Sequence, residues 1–280
     1  MLMELLRILP RNLLSWFIGR LAHLEHPSCL VPPVIRWFIR RYNINCSEVA
    51  ADVSSFQSLG AFFVRELKPG ARPVGTGVVS PSDGRITEAG LITDGKLIQA
   101  KGRHYTVEAL LHDPVEAARF SAGGSFATIY LAPPDYHCVH APVSGRIDKL
   151  TYIPGSLWPV NDWSVSRIEN LFPRNERIAV YLDSEIGRVA VVMVGATNVG
   201  AISVEFDDIT ANQNPPIFID RRSVITRSYA ERSIEAGEKL GEFRLGSTVI
   251  LLFEPGAVEL KVFDEQVRAG QTVADPLAKH

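Results

Sequence analysis

Apolar residues recur at Leu14, Phe17, Ile18, Leu21 and Leu24, and this helical spacing predicts an amphipathic helix over residues 11–24. Pro10, just ahead of it, is tolerated at a helix start. A second amphipathic stretch from Val34 to Tyr42 sets Ile35, Phe38 and Ile39 against Arg36, Arg40 and Arg41. Residues 51–70 carry one further short helix, which Lys68-Pro69-Gly70 ends. The texture then changes. Short β-type runs follow at Phe126–Leu131, Ile178–Leu182, Arg188–Val194, Val199–Phe206, Thr248–Phe253 and Val258–Phe263, punctuated by Gly, Pro and Asp. Residues 207–235, with Asn-Gln-Asn-Pro-Pro at 212–216, read as an irregular excursion inside the β region. The pattern predicts an α+β chain with a β-rich core and amphipathic N-terminal helices.

Ser80–Ile86 (SPSDGRI) and Ala141–Ile147 (APVSGRI) share a small-Pro-x-x-Gly-Arg-Ile frame. Val262–Ala274 (VFDEQVRAGQTVA) has the strand–turn–strand look of a lipoyl-type hammerhead. Together they point to a core like a duplicated barrel-sandwich hybrid, although two unrelated turns that both need glycine would look the same.

The 280 residues suffice for one large domain or two small ones. A net charge of −2 argues against a nucleic-acid partner. The charge is unevenly spread: residues 1–41 hold six arginines and two acids, so that segment is +4 and the remainder −6. Trp16, Phe17, Trp37 and Phe38 lie beside those arginines, which fits either helices packed on a core or a basic amphipathic surface on anionic lipid. No run of 18 apolar residues occurs, so no transmembrane helix is expected, and acidic Glu4 and Pro10 break any secretory pattern. Cys29, Cys46 and Cys138 have no metal-type spacing, and an odd count disfavours a disulfide framework, so a reducing compartment is the simpler setting.

Three features carry candidate chemistry. Asp83 sits in SPSDG, a setting shared with ordinary Asx-turns. His137 and His140 sit in LAPPDYHCVHAPVSG; their spacing puts them on one face of a helical turn but on opposite faces of an extended chain. With Asp83 they form the alternative of a zinc-dependent hydrolase, without an HExxH motif to support it. The third feature is Gly246-Ser247-Thr248, just before an apolar run. A serine hydroxyl becomes a nucleophile when a carboxylate-oriented imidazole takes its proton, and the chain offers Asp83, a histidine and Ser247 in that order. Gly246 removes bulk beside the carbonyl that such a serine would attack in its own chain.

The chain resembles the phosphatidylserine decarboxylases, pyruvoyl-dependent proenzymes, in their bacterial and mitochondrial form. The resemblance spans nearly the whole chain. It rests on Phe56–Val74, SPSDGRI, Lys101-Gly102 with Tyr105, Asp135–Ile147, Pro154–Asn161, Leu171–Val180, Val194–Ile202 and Gly237–Gly256, in this order. It implies that Ser247 attacks the Gly246 carbonyl, with His140 as base and Asp83 orienting it. Elimination then leaves a β chain, 1–246, and an α chain, 247–280, whose first residue has become a pyruvoyl group. That carbonyl takes up the serine amine of the lipid and accepts the electrons left by carbon dioxide; His137 is implicated in the decarboxylation. The two chains are expected to stay associated, with room for a homodimer of that pair. The implied organisation is a membrane-associating segment, 1–50, and a catalytic domain, 51–280, peripheral on the cytoplasmic face of the cell membrane. Cys138 departs from the family, which commonly has a basic residue there. A non-enzymatic lipoyl-like or membrane-binding module is the remaining alternative.

Overall fold

The computed structural model describes residues 17, 19–100, 102–197, 201–211, 223–244, 247–261 and 264–278. Most of the helix expected over 11–24 lies outside them; Phe17 and residues 19–22 are helical. Helix α1, Val31–Tyr42, starts with prolines in its first turn and ends at Asn43 in the left-handed region, with Arg40 and Arg41 complementing the dipole of its last turn. It buries Ile35 and Phe38 against Phe62 and Phe63 of α2, Leu59–Phe63, in a small separate core. Helix α2 is only one turn long, capped by Ser58 Oγ, which accepts the Ala61 N–H. The rest of the helix expected over 51–70 is interrupted, because the Asp52 carboxylate captures the Ser54 N–H and folds Val53–Ser55 into a 3-10 turn.

Seventeen strands follow among the described residues. In chain order they are β1 (Val78–Val79), β2 (Gly84–Leu91), β3 (Lys96–Ala100), β4 (Arg103–Thr106), β5 (Ser125–Leu131), β6 (Cys138–His140), β7 (Gly145–Ile153), β8 (Arg177–Ser184) and β9 (Gly187–Gly195). After them come β10 (Ile202–Val204), β11 (Ile225–Ser228), β12 (Ser233–Ile234), β13 (Lys239–Phe243), β14 (Ser247–Phe253), β15 (Val258–Leu260), β16 (Gln266–Val267) and β17 (Thr272–Pro276). The main sheet is antiparallel and runs β11-β7-β8-β9-β14-β5-β2-β16, with β12 also on β7. Two three-stranded sheets, β1-β17-β15 and β10-β13-β6, and the β3-β4 hairpin complete the architecture. Among the described residues four helices lie between strands: α3 (Val107–Leu111), α4 (Pro114–Ser121), α5 (Asp162–Val165) and α6 (Leu171–Arg174). Leu110, Leu111, Phe120 and Phe172 from these helices join the main core.

Strand β14 is the centre of that core. All seven of its residues are buried, and it pairs along its whole length with β5 on one side and β9 on the other. Its unbroken apolar run follows from this burial on both faces.

The sequence repeat has a structural counterpart. Gly84-Arg85 of β2 pairs with Gln266-Val267 of β16, and Gly145-Arg146 of β7 pairs with Ser233-Ile234 of β12 in the same register. Bulges follow at Ile86/Glu88 and Ile147/Lys149. A Cβ on Gly84 would stand 2.5 Å from the Tyr130 carbonyl oxygen, and one on Gly145 2.5 Å from that of Asp183, so each position requires glycine. The two units meet reciprocally: the Val79 N–H donates to the Pro142 carbonyl and the His140 N–H to that of Pro81. No barrel is closed among the described residues, whose sheets are open orders of strands.

Several expected boundaries shift. The strand expected at Val199–Phe206 is Ile202–Val204, with residues 199 and 200 outside the description; that at Val258–Phe263 is Val258–Leu260, with Val262 and Phe263 outside it. The excursion expected over 207–235 contains β11 and β12, while residues 212–222 lie outside the description. β11 is exposed at every residue, so no buried face marked it in the sequence.

Candidate active site

Ser247 is the first residue of β14 and is fully buried, paired with Leu131 and Gly195 on the neighbouring strands. Its hydroxyl has no hydrogen-bond partner, and neither has that of Thr248. Leu245 and Gly246, which carries the carbonyl expected to be attacked, lie outside the described residues. Upstream, the Phe243 N–H at the end of β13 donates to the His137 carbonyl at 2.9 Å, so the chain leaves for Ser247 from beside His137.

His137 has no exposed surface, and its ring packs on Phe63 with centroids 4.1 Å apart. Nδ1 lies 2.8 Å from the Asp135 carbonyl, so it carries the proton and donates; Nε2 is left as a buried lone pair with no partner. Burial pushes its pKa down to about 3, with the Asp135 carbonyl opposing and the Arg65 charge adding to the fall. The ring is therefore neutral at pH 7.

His140 ends β6. Its Nδ1–H donates to the Gly237 carbonyl at 2.8 Å, and its Nε2 accepts the Tyr136 O–H at 3.1 Å. The ring stacks on Tyr136 with centroids 5.6 Å apart. Burial lowers its proton affinity, and the Gly237 carbonyl opposes that shift.

Asp83 is buried at the end of the turn that leads into β2. Arg72 grips it in a fork, Nε to Oδ1 at 2.7 Å and Nη2 to Oδ2 at 2.5 Å, and Oδ1 also accepts the Ala269 N–H at 2.9 Å. Arg72 reaches on to Glu48 at 2.9 Å. In the second unit Ser144 holds the corresponding place: its Oγ accepts the Ala236 N–H at 2.9 Å. The Asx-turn weighed for Asp83 is not what its carboxylate makes: its bonds go to Arg72 and to the N–H of Ala269, far along the chain, and none to its own turn.

The seam between the two units brings Asp83 and His140 into one neighbourhood, since the His140 N–H bonds the Pro81 carbonyl at 2.7 Å and the Asp83 charge acts on the imidazole. No side-chain hydrogen bond links Asp83, His140 and Ser247. Asp83 is committed to Arg72 and Ala269, and both His140 nitrogens to other groups. The zinc alternative gains nothing from the geometry. His137 and His140 flank an extended segment and turn to different neighbours, Phe63 and Tyr136, and no group of three or more His, Cys, Asp or Glu among the described residues is placed to hold a metal.

Four residues of the neighbourhood escape a reading by motif chemistry: Arg72, Glu48, Tyr136 and Arg65. Arg65 is buried with no carboxylate partner among the described residues. It donates to the carbonyls of Phe62 (3.4 Å), Phe63 (3.5 Å), Pro134 (3.1 Å) and Asp135 (3.5 Å), clamping α2 to the loop that carries His137. The available signal for Arg65 is an arginine set directly after the apolar Phe62-Phe63-Val64. Cys138 is a buried thiol against the Val64 carbonyl, pushed up to about 11 by burial, so it brings no charge to the site.

The N-terminal helical region carries an apolar surface. Phe17, Leu21, Leu24, Leu30, Val34 and Trp37 are all exposed. Leu21, Leu24, Leu30, Val34 and Leu59 help to line an apolar cavity of about 390 Å³. No described helix is long and apolar enough to cross a membrane.

Comparison with known proteins agrees with the motifs. Residues 59–275 match the family model described as phosphatidylserine decarboxylase, and residues 5–43 match a second model, PSD. Proteins named phosphatidylserine decarboxylase proenzyme are similar along most of the chain. That of Anaeromyxobacter sp. is 44% identical over 258 residues, 91% of this chain and 90% of the relative. That of Myxococcus xanthus is 42% identical over 259 residues, with the same coverage. A Shewanella protein is 41% identical over 257 residues, 90% of this chain and 87% of the relative.

Proposed function

This chain belongs to the phosphatidylserine decarboxylase family, and on that premise we propose that it decarboxylates phosphatidylserine to phosphatidylethanolamine after cutting itself between Gly246 and Ser247. One observation carries the reading: the hydroxyl of Ser247, at the head of the central strand, is buried and unpartnered. Such a group costs about 1–3 kcal/mol, which an alanine there would avoid. The cost is accounted for if the hydroxyl is a reactant.

In this proposal Asp83 and His140 form the processing pair. With Nδ1–H fixed on Gly237, the basic lone pair of His140 is on Nε2, now occupied by the Tyr136 hydroxyl. Proton abstraction from Ser247 requires His140 to exchange Tyr136 for the serine. Asp83, held by Arg72, supplies the negative charge that favours the imidazolium formed. Ser247 Oγ then attacks the Gly246 carbonyl and the amide C–N bond breaks, leaving an ester and a free amine on residue 247. β-Elimination breaks the Cβ–Oγ bond, releasing 1–246 as a carboxylate and leaving dehydroalanine at 247, where water replaces the nitrogen, lost as ammonia, to give the pyruvoyl end.

Position 247 suits a pyruvoyl group. Its side chain makes no hydrogen bond, so replacing the hydroxyl forfeits none. When formed there, the group supplies an electron-accepting carbonyl for the substrate amine and for the electron pair released with carbon dioxide. His137, whose Nδ1–H is committed to Asp135, acts at Nε2: that lone pair takes up the proton the substrate amine sheds on bonding to the carbonyl and returns it to the substrate carbon once carbon dioxide has left. The small chain stays in place because β14 is laddered on both sides and β16 and β17 pair with β2 and β1.

The exposed apolar residues beside Arg36, Arg40 and Arg41 support a segment, 1–50, that lies on the anionic cytoplasmic face of the cell membrane, with 51–280 as the catalytic domain. We read the two equivalent β units as a duplicated barrel-sandwich hybrid, supported by their shared register.

The test is carbon dioxide release from phosphatidylserine vesicles by the wild type and by Ser247→Ala. Release by the wild type alone, blocked by phenylhydrazine, supports the proposal. Release that survives in Ser247→Ala refutes it.

A further inference from the structure

A second cavity, of about 220 Å³, lies over the residue that follows Ser247. Arg85, Glu88, Tyr130, Asp162, Thr248 and Asp264 line it. We propose that this cavity seats the primary ammonium group of the substrate, held by Glu88 and Asp162, with Glu88 taking one of its protons; the inference rests on the function proposed above.

Three observations carry it. First, Thr248 is 1% exposed, lines the cavity, and its hydroxyl has no partner, so a hydrogen-bonding group in the cavity is missing its mate. Second, the charges do not balance. The described lining holds three carboxylates and one guanidinium, and Arg85 is tied to Asp264 with Nη2 at 2.5 Å. Glu88 and Asp162 remain without a hydrogen-bond partner among the described residues, a lining that attracts a cation and repels phosphate or carboxylate. Third, the duplication provides a comparison. Lys149 follows the bulge in β7 as Glu88 follows the bulge in β2, and Lys149 is neutralised by Asp113 at 2.5 Å and Glu116 at 3.3 Å. Glu88 has no such partners among the described residues. Burial and the neighbouring Asp264 also raise its proton affinity.

The chemistry needs such a group. The lipid amine arrives as an ammonium whose lone pair is bound up in an N–H bond. Transfer of one proton from R–NH3+ to the Glu88 carboxylate gives R–NH2 and a neutral carboxylic acid; the nitrogen recovers its lone pair, and nothing is oxidised or reduced. Asp162 and the hydroxyls of Thr248 and Tyr130 offer further polar contacts, so the amine is held one residue along β14 from position 247 as it becomes a nucleophile.

The test uses the uncut Ser247→Ala full chain and ethanolamine as the probe, followed by NMR at an isotopically labelled Thr248. Saturable binding is expected, weakened about tenfold by Glu88→Gln and by Asp162→Asn, as the loss of a hydrogen bond to a charged group implies. Inorganic phosphate should not compete. Asp162 is exposed, so its variant guards against a folding defect in Glu88→Gln. Equal ethanolamine binding in both variants, no binding at Thr248, or tighter binding of phosphate would overturn the inference. If the wild type decarboxylates while ethanolamine ignores the cavity, this inference alone fails. If ethanolamine binds as expected but the wild type neither cuts itself nor decarboxylates, the cavity stands as an ammonium site and the proposed function falls.

Discussion

Asp83 does two separable things, and substitutions there should separate them. Its carboxylate accepts the Ala269 N–H at 2.9 Å and grips Arg72, whose side chain is 13% exposed. On an uncut Ser247→Ala background, Asp83→Ala leaves the N–H unpaired, at about 1–3 kcal/mol. It also strips Arg72 of its fork. Removing one partner of a buried pair costs about 3–5 kcal/mol, and the surviving Glu48 contact at 2.9 Å keeps this near 3. Asp83→Ser copies Ser144, whose hydroxyl caps the equivalent Ala236 N–H at 2.9 Å, so only the Arg72 loss of about 3 kcal/mol remains. Asp83→Asn keeps an acceptor for both partners and should cost about 1–2 kcal/mol. Urea denaturation should therefore rank stability Asn above Ser above Ala. In the Ser247-containing protein all three should cut themselves slowly or not at all, the well-folded Asn variant included. Asp83→Ser as unstable as Asp83→Ala would refute the twin-cap argument, and Asp83→Asn cut at the wild-type rate would remove Asp83 from processing.

Other outcomes follow from the same geometry. His137 takes up a proton near pH 6.5 when unfolded and only near 3 when folded, so its share of stability is present above pH 6.5 and is lost as the pH falls toward 3, by up to about 1.4 kcal/mol per pH unit. Asp135, raised to about 6 by burial, works the other way over part of that range, so the signature is the difference in slope between wild type and His137→Gln in denaturation at stepped pH; identical slopes would contradict the burial argument. Leu251→Ala, in the middle of β14, should destabilise the fold by about 2–5 kcal/mol and loosen residues 247–280 from the cut protein on gel filtration in mild urea; full retention with unchanged stability would argue against β14 as the anchor. Trp37→Ala should weaken flotation with anionic vesicles about tenfold, and added salt should weaken it further through Arg36, Arg40 and Arg41; unchanged flotation would remove α1 from the membrane surface.

The residues of the proposed site stand out in the sequence because they sit in short motifs whose chemistry is unusual: Gly246-Ser247 before a buried strand, two close histidines, an aspartate in a turn. The repeat was legible as seven-residue frames because glycine is forced at Gly84 and Gly145 by approaching carbonyls. Its extension was not: Ile234 and Val267, Ala236 and Ala269 match only once β12 and β16 are seen in equivalent registers, because short strands leave few constrained side chains. Arg72 was invisible as the keeper of Asp83 for a related reason. An ion pair links residues through space, and nothing in KPGARPV says which carboxylate the arginine will meet. The zinc alternative depended on whether His137 and His140 lie on a helical turn or an extended chain, and β6 resolves that local choice through its pairing with β13.

The central claim is that Ser247 becomes the first residue of a new chain. Intact mass of the purified protein beside Ser247→Ala tests it directly. The wild type should give two species, 1–246 and 247–280, the smaller lighter by one ammonia than a fragment with an ordinary serine terminus, while Ser247→Ala gives one uncut chain. A single full-length mass for the active wild type would contradict the account.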